Sequence, residues 1–280
     1  MVKLGSGLQF LLIFWDKCSA DSKDCLDFKP QIQTNKRMIP KITVCPDYNA
    51  MSLAAADRVM ALLENKPNAV ICLPSGSTPL GMFQALVAAN QKGTTNFSRC
   101  IFVGLDEWIG LNAGDDGSCR NLLDRDFLKP IGMRENQIVY FDGKATDPAA
   151  ECERVNKIVD SLGGLDLIVL GVGMNGHLAL NEPGTPWNLH AHVSDLDPVT
   201  VEVGQKYFKK PTVLTKGITI GIKNILEAKT AILLASGKSK ADVISRAIAF
   251  PVTTDFPATA LQNHFNAEII LDEEAGSLLN

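Results

Sequence analysis

Leu165-Asp166-Leu167-Ile168-Val169-Leu170 runs directly into Gly171-Val172-Gly173-Met174-Asn175-Gly176-His177-Leu178-Ala179-Leu180-Asn181-Glu182-Pro183-Gly184. The first part is an almost unbroken apolar run that stops at a glycine. A strand with one wet face alternates polar and apolar residues. A strand with no polar face must be covered on both sides, as in a parallel sheet. Similar short runs occur at 42–45, 69–73, 100–105, 137–140, 231–235 and 267–271. Between them lie segments of helical period at 50–63, 79–89, 149–162 and 240–248. In the first of these, Leu53, Ala56, Val59, Met60 and Leu63 make an apolar stripe. The alternation predicts an α/β fold with a mostly parallel sheet and helices on both faces. The stretch 185–215 is weakly patterned and reads as a functional lid.

Composition sets the outer limits. The chain has 280 residues, 46% hydrophobic and 21% charged, ordinary globular usage for one large domain or two small ones. No apolar run reaches the roughly 18 residues of a membrane-spanning helix, which argues against a membrane partner. There are 27 basic and 31 acidic residues, a net charge of −4, and no dense basic cluster. That argues against nucleic acid as partner, but not against a small anion held by one or two placed cations. The seven cysteines are Cys18, Cys25, Cys45, Cys72, Cys100, Cys119 and Cys152, with no C-x-x-C pair among them. They read as free structural thiols in a reducing, cytoplasmic compartment.

Residues 1–37 fit the rest poorly. Lys3 precedes an apolar stretch at 8–15, and Cys18-Ser19-Ala20 is a weak cleavage-like site. Gln9 interrupts that stretch, and the residues after it are polar and aperiodic. The readings weighed are a signal peptide, an ordered helix, and a disordered extension or mis-called start. The last is preferred, ahead of a single α/β domain over 38–280.

In parallel sheets, ligands sit outside the carboxyl ends of the strands, so the residues after each strand carry the argument. The first such segment is Leu73-Pro74-Ser75-Gly76-Ser77-Thr78-Pro79-Leu80. Thr78 suits a helix N-cap and Pro79 the first helical position. Gly76 allows close backbone approach, and Ser75, Ser77 and Thr78 offer hydroxyls. The segment reads as a phosphate cradle or as a plain capped turn; it is not a Walker loop. The second, Val103-Gly104-Leu105-Asp106-Glu107-Trp108, puts adjacent carboxylates beside an aromatic ring. A carboxylate desolvated in this way is a better base; the bland alternative is an exposed acidic loop.

The third segment is the opening one. It contains G-x-G-x-x-G after a strand, with Asp195 and Asp197 downstream, the outline of a dinucleotide site. Pro183 and Gly184 would cut off the helix such a site needs. The better reading is a glycine-lined pocket wall presenting His177 and Glu182, set against a buried structural histidine. His190, His192 and His264 lack comparable surroundings. No close ligand pair or HExxH pattern favours zinc. The fourth, Ala235-Ser236-Gly237-Lys238-Ser239-Lys240-Ala241-Asp242, puts Lys240 in the first turn of a helix. A cation placed there opposes the helix dipole, as it would if it met an anion.

Together these motifs, with Gly217-Ile218-Thr219-Ile220-Gly221-Ile222-Lys223-Asn224-Ile225-Leu226-Glu227-Ala228 and Ala260-Leu261-Gln262-Asn263-His264, mark a family. Over residues 42–275 the chain resembles the glucosamine-6-phosphate deaminases, relatives of the 6-phosphogluconolactonases. Within them it is most similar to the galactosamine-6-phosphate branch. The resemblance implies a modified doubly wound sheet. It also implies conversion of a 2-amino-2-deoxyhexose 6-phosphate to a ketohexose 6-phosphate with loss of ammonia. It implies that Asp106 moves the proton between C2 and C1, that His177 opens the pyranose ring, and that Glu182 partners it. Gly76, Ser77, Thr78 and Lys240 fall on the phosphate site, with Ser75 beside them. No metal or organic cofactor is implied.

Two departures stand out. Asn175 occupies the position where most glucosamine-6-phosphate enzymes have Asp. It can still orient His177 while removing a charge, and it favours the galactosamine branch. A lid arginine that assists the phosphate has no clean match; Lys206 is the nearest candidate. The competing functions are a 6-phosphogluconolactonase-like hydrolase and a non-catalytic sugar-phosphate sensor. Glu182 in Asn-Glu-Pro speaks against the first. The joint presence of Asp106, His177 and Glu182 speaks against the second.

Overall fold

A computed structural model describes residues 38–279. The expectation for residues 1–37 lies outside the described residues, as do Cys18 and Cys25.

The chain order is β1 (Lys41–Cys45), α1 (Tyr48–Asn65), β2 (Val70–Leu73), α2 (Leu80–Gln91), β3 (Ile101–Gly104), β4 (Asp106–Trp108) and α3 (Cys119–Leu123). It continues with β5 (Ile138–Val139), α4 (Pro148–Ser161), β6 (Leu167–Leu170), β7 (His192–Asp195) and α5 (Pro198–Gly204). The last elements are β8 (Lys216–Thr219), α6 (Ile222–Glu227), β9 (Ala231–Ala235), α7 (Ala241–Ala249) and β10 (Ala267–Asp272). Seven strands form a wholly parallel sheet in the order β1-β10-β9-β6-β2-β3-β5. Every residue of β2, β6, β9 and β10 is buried, so both faces are covered, as the unbroken apolar runs require.

The one polar residue in the opening run has a structural task. Asp166 is buried, and its carboxylate accepts the Val70 N–H at 2.8 Å and the ammoniums of Lys66 and Lys229 at 2.7 Å. It pins β6 to β2 at the end of the sheet away from the glycine loop. Asp47 caps α1 through the Ala50 N–H at 2.8 Å, and Asp147 caps α4 through Ala149 and Ala150.

Most of the expected stripe on α1 faces the core: Ala56, Val59 and Leu63 are buried and Met60 partly so. Leu53 is 56% exposed, while Met51, Ala55, Val59 and Leu63 face inward at a spacing of four. Small residues decide this. A Cβ on Gly81 would run into Ser52, so α1 and α2 approach closely along their small-residue faces and Leu53 is turned to water.

Sequence reading did not anticipate the second sheet. β4, β8 and β7 form a three-stranded antiparallel sheet in which Asp106 and His192 both pair with Thr219. Asp106–Trp108 is therefore a buried strand, which rules out the alternative of an exposed acidic loop. These strands are three or four residues long and half polar, too short for a period of two to register. Within 185–215, expected to be an unpatterned lid, lie both β7 and α5.

Candidate functional site

The strand order fixes where a ligand can sit. From β2 the chain winds outward through β3 to β5; from β6 it winds the other way through β9 to β10. Neighbouring β2 and β6 thus send their following loops apart, which opens a crevice at their carboxyl ends. A cavity of about 350 Å³ lies there, within the range of small-molecule sites. Ser75, Asp106, Cys119, His177, Thr200 and Lys240 are among its lining residues.

Asp106 enters from β4 and is 9% exposed. Burial raises its carboxyl from the ordinary value to about 7, with the Glu107 charge adding to the rise; a hydrogen bond with the Cys119 thiol and the proximity of His177 oppose it. The Tyr140 hydroxyl donates to the Asp106 carbonyl at 2.9 Å and fixes the strand behind it. Cys119 was not singled out in the sequence beyond its thiol. Its sulfur hydrogen-bonds to both Asp106 and Ser75, and burial holds the thiol well above its usual value, hence protonated.

His177 comes from the loop after β6. Its Nδ1 lies 3.1 Å from Thr200 Oγ1 and 3.3 Å from Glu182 Oε2. Glu182 is buried and does not line the cavity; it stands behind the histidine. Burial alone would raise the Glu182 carboxyl, but hydrogen bonds from His177, Thr200 and Asn175 hold it below the ordinary value. Asn175 is placed differently from expectation. Its Nδ2 donates to Glu182 Oε2 at 2.8 Å, and its Oδ1 accepts the His177 backbone N–H at 3.2 Å. It reaches the imidazole through Glu182, not directly.

The loop carrying these groups is tightly built. A Cβ on Gly173 would collide with the His177 ring. Ala179 sits at φ +54°, a region L-residues rarely occupy, within the turn where Leu178 and Asn181 bridge. Asn181 Nδ2 donates to the Leu178 and Ile220 carbonyls at 2.8 Å, holding that conformation.

Ser75, Ser77 and Thr78 line the same cavity, as do Lys240 and Lys206. Gly76 adopts φ +100°, and a Cβ there would lie 2.7 Å from the Tyr207 hydroxyl, so the bare glycine admits Tyr207. The expected cap is corrected: α2 begins at Leu80, Pro79 takes the cap position, and no side chain caps it. Tyr48, missed in the sequence, fills the gap by accepting the Gly81 N–H at 2.8 Å and donating to the Thr78 carbonyl at 3.1 Å. Lys240 precedes α7 at the end of a single tight turn and does not lie within the helix itself. Its Nζ donates to the Val172 carbonyl at 2.8 Å. Burial and the charge of Lys206 push its ammonium below the usual value, the situation an incoming anion would relieve.

His190, His192 and His264 are engaged elsewhere, with Glu227, the His190 carbonyl and the Ala228 carbonyl respectively. Among the described residues no group of three or more His, Cys, Asp or Glu side chains could hold a metal ion. No helix among the described residues is long and apolar enough to cross a membrane.

Residues 47–270 match the family model of glucosamine-6-phosphate isomerases/6-phosphogluconolactonase. The chain is 37% identical over 240 residues to a glucosamine-6-phosphate deaminase of Thermoanaerobacter sp. strain X514, covering 85% of this chain and 95% of that one. It is 36% identical over 239 residues to glucosamine-6-phosphate deaminase 1 of Bacillus subtilis strain 168, covering 85% and 99%. A solved structure of a monomeric glucosamine-6-phosphate deaminase superposes with a TM-score of 0.82 at 36% identity, covering 85% of this chain and 99% of that one.

Proposed function

The chain belongs to the family of glucosamine-6-phosphate isomerases and 6-phosphogluconolactonases, and on that premise we propose that it is an aminosugar-6-phosphate deaminase/isomerase whose chemistry runs between Asp106 and His177. One observation carries this reading: a buried carboxylate and a histidine backed by a carboxylate share a single cavity with Lys240, Lys206 and the hydroxyls of Ser75, Ser77 and Thr78.

The sugar phosphate lies with its phosphate against Ser75, Gly76, Ser77, Thr78 and Lys240, and Lys206 adds a second cation from the lid. This remote binding energy positions the carbons. His177 Nε2 takes the proton from the anomeric hydroxyl and returns one to the ring oxygen, giving the open aldehyde. Glu182 stabilises the imidazolium formed in between. Asp106 then removes the C2 proton, and the electrons move to make the C1–C2 enolamine while O1 takes a proton from water. The same carboxyl delivers its proton to C1, leaving an iminium at C2. Water adds there and ammonia departs, giving the ketose phosphate. A carboxyl near 7 is a stronger base than an ordinary one and still ionises at neutral pH.

Asn175 favours the galacto epimer as substrate. The free thiols of Cys45, Cys72, Cys100, Cys119 and Cys152 favour the cytoplasm as compartment. We take 38–280 as one catalytic domain.

The test is direct. Glucosamine 6-phosphate, galactosamine 6-phosphate and 6-phosphogluconolactone are incubated separately with the protein, and ammonia, ketose phosphate and acid are measured. Ammonia and ketose phosphate in equal amounts from an amino sugar support the reading. Lactone hydrolysis alone overturns it.

A further inference from the structure

Thr200 belongs to α5, the helix embedded in the weakly patterned stretch. Asp197 starts that helix by accepting the Val199 N–H at 2.8 Å. Thr200 lines the cavity and is only 5% exposed. Its Oγ1 is closer to His177 Nδ1, at 3.1 Å, than Glu182 Oε2 is, at 3.3 Å. The same hydroxyl also hydrogen-bonds with the Glu182 carboxylate.

Proton counting fixes the directions. A hydroxyl has one proton to give, and an ionised carboxylate can only accept. The Thr200 O–H therefore goes to Glu182, and its lone pair is left to accept from His177. That requires the histidine proton to be on Nδ1, which leaves the Nε2 lone pair free on the cavity side. At 3.3 Å the direct contact to Glu182 is long for a strong N–H···O bond, so the hydroxyl supplies the shorter one.

We propose that Thr200 is a positioning residue for ring opening: its hydroxyl bridges His177 Nδ1 and Glu182, holds the tautomer with Nε2 free, and steadies the imidazolium. This role rests on the function proposed above. The charged groups facing the imidazole are Glu182 behind it, Asp106 across the cavity, and Lys240 and Lys206 on the cavity wall. A change at Thr200 alters none of these charges.

The experiment compares wild type, Thr200→Val and Thr200→Ser. His177 is titrated by NMR in the free protein, and the pH–rate profile is measured with the preferred aminosugar phosphate. Valine keeps the shape and removes the hydroxyl. The imidazolium then loses an acceptor, so the His177 titration and its kinetic limb move to lower pH. Turnover falls roughly tenfold with little change in KM, the loss of one charge-assisted hydrogen bond. Serine restores the titration and most of the turnover. An unmoved titration in Thr200→Val overturns the bridge, as does an equal shift in Thr200→Ser. Wild type that leaves both amino sugars intact while the titrations follow the expected order overturns the proposed function and leaves the bridge standing.

Discussion

Asp106 and Glu107 are chain neighbours on one strand with opposite surroundings. Asp106 lines the cavity with no fixed cationic partner, whereas Glu107 is fully buried on the other face. The Glu107 carboxylate accepts from Ser118 Oγ at 2.6 Å and from the backbone of Trp108, Cys119 and Arg120 at 2.9–3.1 Å. It thereby ties the start of α3 to β4 and puts the Cys119 thiol beside Asp106. Strand alternation turns one of two adjacent carboxylates into the candidate base and the other into an anchor.

Asp106→Asn is expected to abolish exchange of the C2 proton with solvent while sugar-phosphate binding persists. In wild type the base must be ionised, so with its pKa at about 7 the free-enzyme kcat/KM falls as pH drops below that value and levels off above it. Proton exchange followed by NMR, together with the pH–rate profile, checks both. Wild-type exchange in the variant would remove Asp106 from the role.

The same substitution has a stability consequence of opposite sign. The folded value of about 7 lies above the ordinary 3.8, so the folded state holds the Asp106 proton more tightly than the unfolded state does. The favourable contribution is complete below about pH 4 and is lost as pH rises toward 7. Above that, wild type carries a desolvated charge that the asparagine variant lacks. At pH 8 the variant is expected to be more stable by about 4 kcal/mol, the roughly three pKa units between the two states at about 1.4 kcal/mol each, with the gain fading by pH 4. Denaturant unfolding at the two pH values measures it. An equal difference at both would mean that the carboxyl does not titrate as described.

The parallel sheet was legible because its central strands bury both faces, which leaves unbroken apolar runs such as Ile168-Val169-Leu170. The glycine loop was legible because it follows one of those runs. The small antiparallel sheet was not. Its strands carry Asp106, Glu107, His192 and Ser194, and pairing with Thr219 is a long-range event that no local period reports. Thr200, Tyr48 and Cys119 reach the site from separate helices, so only tertiary structure brings them together. Lys240 was read correctly as lying after a strand, but the tight turn before α7 sets where its ammonium points.

Lys240→Ala is expected to weaken binding of phosphorylated amino sugars by roughly 1.5–3 kcal/mol, the range for a charged hydrogen bond. The exposed Lys206, changed to Ala, is expected to cost less than about 1 kcal/mol. An unphosphorylated amino sugar should bind both variants as it binds wild type. Calorimetric titration with the two kinds of sugar decides it; equal losses for both would place Lys240 away from the phosphate.

Gly173→Ala puts a methyl group where the His177 ring stands. The ring must turn away from Thr200 and Glu182. Turnover is expected to fall by about 100-fold or more, as when a catalytic group is misplaced by about 1 Å. Binding of the sugar phosphate should change far less. Near-normal turnover would show that the ring is free to move without loss.

Asn175→Asp tests how charge reaches the histidine. The Asn175 amide donates to Glu182 Oε2 at 2.8 Å, so the substitution sets one carboxylate against another. Glu182 loses a proton donor and gains a like charge, and both effects raise its pKa. The carboxyl pair then keeps a shared proton up to a higher pH than Glu182 alone does, and once both are ionised their combined negative charge favours the imidazolium of His177. The histidine-controlled limb of the pH–rate profile should therefore move upward. Around neutral pH less neutral His177 is available to start ring opening, so turnover of the galactosamine substrate falls. Activity on glucosamine 6-phosphate rises relative to it if residue 175 sets the branch. The profile is the deciding measurement, because it reports the essential groups of the free enzyme. A profile identical to wild type would mean that the Asn175–Glu182 contact does not govern His177.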